Sequence, residues 1–152
     1  MNKQFEKSVF VVDDDPKVRE ALQWLFESVN LPVETFKNAK HFIDNHNANK
    51  MGCLIVDVRM PGMSGLELLD YLKLKKCHLP IIMITGHGDI PMAVRAIQAG
   101  AEDFITKPFN DKYLIDKIQQ IFTQMELSAS TVSETTLNSA VESTTRAEGD
   151  DL

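Results

Sequence analysis

VFVVDDDPKVREALQWLF, residues 9–26, runs four apolar residues straight into three adjacent carboxylates and a proline. The apolar run is brief, β-branched and aromatic, with no polar residue at every second place, so it reads as a strand covered on both faces. Pro16 suits the first turn of a helix, where a missing N–H loses no partner. After it, Val18, Ala21, Leu22, Leu25, Phe26 and Val29 recur along one helical face. A covered strand leading at once into an amphipathic helix is half of a βαβ unit. The aspartates stand at the mouth of the strand, and like charges side by side need something to relieve their repulsion.

The alternation recurs down the chain. Apolar runs at VETF (33–36), CLIVDV (53–58), IIMIT (81–85) and DFIT (103–106) read as further strands. Residues 38–46 suit a short, weakly marked helix. Ser64-Gly65 opens a third, with Leu66, Leu69 and Leu72 along one side. Asp89 caps a fourth, in which Ile90, Ala93, Val94 and Ile97 form the inward stripe and Met92, Arg95 and Gln98 the outward side, with Gly100 ending it. Leu114, Ile115, Ile118, Ile121, Phe122 and Met125 stripe a fifth over residues 111–125, and Trp24 lies off the first helix's stripe, partly exposed. This order predicts an α/β fold, a doubly wound five-stranded parallel sheet with helices on both faces.

Composition sets the class. Of 152 residues, 43% are hydrophobic and 25% charged, ordinary for a globular protein. Apolar runs of four or five residues cannot cross a membrane, and MNKQFEKS carries no apolar signal-peptide core. Cys53 and Cys77 lack metal-site spacing, so reduced thiols and a cytoplasmic location are expected. A net charge of -6 argues against nucleic-acid binding by this chain. Residues 128–152 hold five acidic side chains against one basic, and ten Ser or Thr. They cannot bury enough apolar surface to offset their ordering entropy. The reading is one domain over residues 1–127, then a flexible acidic Ser/Thr-rich tail or linker over 128–152 with no output domain.

Sheets of this kind place ligands beyond the carboxyl ends of their strands. There the sequence sets Asp13, Asp14 and Asp15 after the first strand, Asp57 at the third, Thr85 at the fourth and Lys107 after the fifth. Clustered carboxylates suit a hard cation with oxygen ligands, above all Mg²⁺, which keeps waters for a phosphoryl substrate. A carboxylate can also be a nucleophile towards phosphorus, and such transfer needs mainly positioning and charge stabilisation. Asp15 is set apart from the pair before it, as the residue before Pro16 and a natural helix cap.

VVDDDP, LIVDVRMPGMSG and IMITGHGDIPMAVRAIQAGAEDFITKPF, in this order and spacing, resemble the receiver domain of two-component response regulators, and the FixJ/LuxR-type subgroup in particular. The resemblance covers nearly all of residues 8–125. It implies a flavodoxin-like strand order 2-1-3-4-5, with Asp57 as phosphoacceptor. Asp13, Asp14, Asp57 and the backbone carbonyl of Arg59 would hold Mg²⁺. Lys107, commonly before a cis proline, would contact the phosphoryl group or pair with Asp57 in its absence. Thr85 would move towards the phosphate and let Phe104, the aromatic switch position, turn inward. A sensor histidine kinase would be the phosphoryl donor. A homodimer through helix four, strand five and helix five would follow phosphorylation, with transcription as the output.

Gly62 and Gly65 read as loop geometry beside the site. His87 reads as an exposed loop histidine, and His41, His46 and His78 show no ligand spacing. Two other functions share parts of this pattern: a pseudo-receiver acting only as an interaction module, and a Mg²⁺ aspartyl phosphohydrolase. The latter family carries a second aspartate two residues after its nucleophile, where this chain has Arg59, and there is no room for a cap domain.

Overall fold

A computed structural model of the chain describes residues 7–47, 50–86 and 89–128. Its elements are β1 (Lys7–Val12), α1 (Pro16–Glu27), β2 (Val33–Phe36), α2 (Ala39–Asn45), β3 (Met51–Asp57), α3 (Gly65–Leu74), β4 (Ile81–Thr85), α4 (Ile90–Gln98) and β5 (Asp103–Thr106). A fifth helix, α5, occupies residues 111–128. The strands form one parallel sheet in the order β2-β1-β3-β4-β5, as the resemblance implied.

Successive strand side chains point to opposite faces, and the sheet uses both. Phe10, Val12, Leu54, Val56 and Met83 join α2, α3 and α4 through Phe42, Leu68, Leu69, Leu72 and Ala96. Val9, Val11, Cys53, Ile55, Ile82 and Ile84 join α1 and α5 through Leu22, Phe26, Leu114, Ile118 and Phe122. The continuous apolar runs of β1, β3 and β4 are therefore the price of burial on two faces.

The helix starts follow their capping residues. Asp15 caps α1, its Oδ1 accepting the Lys17 N–H at 2.9 Å with Pro16 just inside. Asn38 caps α2 through the His41 N–H. Ser64 and Glu67 form a reciprocal capping box on α3. Asp89 caps α4 through the Met92 N–H, and Gly100, at φ 110°, follows its last turn. Gly62 takes φ 78°, the turn geometry that its loop position called for.

The orientation of α4 departs from the sequence reading. Ala96 is its buried residue, and Met92 and Ala99 pack beside it against the core. Ile90, Val94 and Ile97 face outward, 79%, 47% and 47% exposed. Both sets recur at i, i+4 and i+7, so periodicity alone does not choose between them, and the larger residues are the ones that face outward. The helix instead lies on the sheet through small side chains. Ala21 of α1 is likewise exposed, and α5 continues through Ser128 rather than ending at 125. Trp24 is 76% exposed. Cys53 and Cys77 are free thiols. No helix among the described residues is long and apolar enough to cross a membrane.

Replacing Asp15 by Ala removes the α1 cap and is expected to lower stability by about 1 kcal/mol in urea unfolding.

Candidate functional site

Parallel pairing brings the strand ends to one edge. Val12 pairs with Val56, so Asp13 leaves β1 beside Asp57 at the end of β3. Thr85 pairs with Thr106, which puts Lys107 next to the end of β4, and the Lys107 N–H donates to the Thr85 carbonyl at 2.8 Å. Each of Asp13, Asp14 and Asp57 offers a carboxylate oxygen within 4.8 Å of the others. The Lys107 ammonium lies 3.4 Å from Asp13 Oδ2 and 3.8 Å from Asp57 Oδ2. Lys107 thus makes the ion pair with Asp57 that the resemblance implied, and lies closer still to Asp13. The Lys107–Pro108 peptide is cis.

The loop after β3 is held close to the cluster. Asp57 Oδ1 accepts the Arg59 N–H at 3.3 Å, and the Gly65 N–H donates to the Val58 carbonyl at 2.9 Å. A Cβ on Gly65 would lie 2.4 Å from the Asp57 carbonyl oxygen, so glycine is what lets α3 start against the end of β3. Asp13 is held at its N–H by the Phe36 carbonyl, at 3.2 Å, and its Oδ1 accepts the Asp15 N–H at 2.9 Å. Asp15 therefore serves both as helix cap and as a backbone donor to its neighbour.

Burial grades these groups. Asp13 is 3% exposed, Asp57 9%, and Thr85 fully buried, while Asp14 faces solvent. Phe104 is half-buried against the core on the α4 side. His87 lies outside the described residues, as do residues 129–152 of the expected tail. Arg19, which the sequence reading passed over, donates Nη1 to the Asp13 carbonyl at 2.7 Å. The available signal was a basic residue in the second turn of the helix that follows the acidic triplet.

Burial pushes the Asp13 and Asp57 carboxyls above their ordinary range. At Asp13 the Asp15 N–H and Lys107 pull back and Asp14 adds to the rise. At Asp57 the charge of Asp13 adds to the rise, while Lys107 and the Arg59 N–H oppose it. Asp13 and Asp57 thus share the Lys107 ammonium, with the Asp14 carboxylate close by. A set of hard oxygen donors this close, short of positive charge, fits a divalent cation such as Mg²⁺. The apolar groove of about 510 Å³ between α2 and α3, lined by Phe42, Ile43, Tyr71 and Leu72, shares no residue with this cluster.

The raised carboxyls carry a pH dependence. Above their ordinary pKa the unfolded chain releases these protons while the folded chain retains them, so the stability they confer at low pH is lost as pH rises through the raised values. In chelator, Asp57→Asn is expected to melt higher than the parent at about pH 7, and the gain should shrink on acidification to about pH 4 as Asp57 itself takes up its proton. Thermal melts of both chains across that range check this.

The family model for the response regulator receiver domain matches residues 9–119. The response regulator protein TodT of Pseudomonas putida is 48% identical over 129 residues, 83% of this chain and 57% of TodT. The transcriptional regulatory protein FixJ of Bradyrhizobium diazoefficiens is 41% identical over 121 residues, 80% of this chain and 59% of FixJ. This chain therefore spans little more than half the length of these relatives. The solved structure of FixJ-N superposes with a TM-score of 0.71 at 42% identity, covering 77% of this chain and 94% of that one. Strand order, acidic edge and sequence likeness agree: this chain belongs to the response regulator receiver domain family of two-component systems, among the FixJ-like members.

Proposed function

We propose that the domain is a switch thrown by phosphorylation of Asp57. The observation that carries this reading is the assembly of Asp13, Asp14, Asp57 and Lys107 at one sheet edge. A carboxylate oxygen of Asp57 attacks the phosphorus of a phosphohistidine on a sensor histidine kinase. The new O–P bond forms as the P–N bond breaks, and the imidazole leaves with the electron pair and takes up a proton. Asp13, Asp14, Asp57 and the carbonyl of Arg59 are the proposed holders of Mg²⁺, which when bound supplies positive charge to the phosphoryl oxygens and to the acidic pair. Lys107 is positioned to turn from Asp13 to a phosphoryl oxygen. The domain receives the group and returns it to water; it is a signalling domain rather than an enzyme acting on a separate substrate.

Thr85 and Phe104 are the proposed relay. Thr85 sits at the end of β4 and Phe104 on β5, in register with Met83 of β4. Movement of Thr85 towards the phosphoryl group, with Phe104 turning inward, would shift the population towards a state with an altered α4–β5–α5 face. That face exposes Ile90, Val94 and Ile97, and Tyr113 of α5 is 50% exposed, its hydroxyl donating to Asp103. An apolar stripe of this kind suits a second copy of the chain. Likeness to the transcriptional regulatory protein FixJ supports transcription as the output; we place the domain in the cytoplasm and read residues 128–152 as a flexible acidic tail or linker. The cluster of Asp13, Asp14, Asp57 and Lys107 favours this reading over an interaction-only module, and Arg59 counts against the hydrolase reading.

Acetyl phosphate with Mg²⁺ is expected to add about 80 Da, one phosphoryl group, to the parent chain by intact mass. Asp57→Asn should gain nothing, and Asp14→Ala or chelator should abolish the gain; an equal adduct on Asp57→Asn overturns the assignment. The double substitution Ile90→Glu with Val94→Glu is expected to leave the adduct intact while removing any phosphorylation-driven rise in mass by light scattering.

A further inference from the structure

Arg19 stands in the second turn of α1, and its Nη1 reaches back to the Asp13 carbonyl at 2.7 Å. Its own N–H donates to the Asp15 carbonyl at 3.1 Å, the first turn's ordinary bond, so the side-chain contact is additional to helix formation. The carbonyl that it grips belongs to the peptide joining Asp13 to Asp14. A peptide is planar, so fixing its oxygen fixes its N–H and the place of the Asp14 Cα, from which the Asp14 side chain starts.

The two acids differ in what holds them. Asp13 is 3% exposed, with its N–H on Phe36, its Oδ1 on the Asp15 N–H and its Oδ2 facing Lys107. Asp14 is exposed, so its carboxylate is aimed by the backbone rather than by packing. We infer that Arg19 is a positioning residue for the acidic pair: its guanidinium locks the Asp13–Asp14 peptide so that both carboxylates face one divalent cation. This rests on the reading of the cluster as a Mg²⁺ site.

The geometry makes the role separable from charge. A cation beside a Mg²⁺ site opposes metal binding by Coulomb repulsion, so removal of Arg19 as a mere charge would tighten Mg²⁺. Removal of Arg19 as a positioning group would weaken it, because the peptide plane is freed. The two effects have opposite signs. Lysine keeps the charge but loses the rigid planar fork, and so separates them further.

The test is Mg²⁺ titration of the whole chain by isothermal calorimetry, with melting temperatures in chelator as the folding control. Arg19→Met is expected to bind Mg²⁺ about 10-fold more weakly, as supporting groups around metal ligands do when removed, and Arg19→Lys should also bind more weakly. Lys17→Met, which removes a positive charge from an exposed site on the same helix, should bind Mg²⁺ at least as tightly as the parent. Equal or tighter binding by a folded Arg19→Met overturns the proposal, and if that variant does not fold, the same comparison is made on Arg19→Lys. If the parent itself binds no Mg²⁺, the metal reading falls and this proposal with it, which separates that failure from a failure of Arg19 alone.

Discussion

The clustering of Asp13, Asp14 and Asp57 at one sheet edge, with the Lys107 ammonium beside two of them, is the constraint on which the rest of the structure depends. Asp13 and Asp57 are taken out of water at the ends of adjacent strands, where burial raises both carboxyls and the charge of Asp13 adds to the cost of charging Asp57. Lys107 offsets part of that cost from 3.4 and 3.8 Å. Everything near the edge serves to hold groups that would otherwise move apart. The Phe36 carbonyl takes the Asp13 N–H, the Arg59 N–H meets Asp57, and Gly65 admits the start of α3 against the end of β3. The fold thus stores an electrostatic deficit at one place, and a cation or a phosphoryl transfer can act on it.

The legible part of the fold was the part that local physics decides. A covered strand must be apolar throughout, a helix must find donors or acceptors for its end, and a tight turn must find a glycine, so VFVVDDDP, Asp89 and Gly62 each declared their roles. The acidic edge followed, because parallel strands in register carry their final residues to one side. What stayed hidden depends on relative packing. α4 has two apolar faces at identical spacing, and nothing in the helix itself says which meets the sheet; the core takes up the face of Ala96, with Met92 beside it. Arg19 was hidden for a different reason. Its partner is a backbone carbonyl, which leaves no mark on the sequence. The preference of Lys107 for Asp13 over Asp57 is a matter of less than half an ångström, finer than any motif can state.

The inverted seating of α4 has a mechanical consequence. This helix buries one residue, an alanine, whereas α3 buries five, among them Leu66, Leu68, Leu69 and Leu72. Dispersion grows with the number of atoms in contact, so α4 is tethered to the domain by a short lever of weak attraction while α3 is riveted to it. Segments with few buried apolar contacts open and shift at low free energy, without disturbing the strands beneath. The sheet thus carries one firmly held helix and one lightly held helix on the same face. The compliant helix is also the one that displays isoleucine and valine to solvent, so the domain's softest joint and its stickiest surface are the same element.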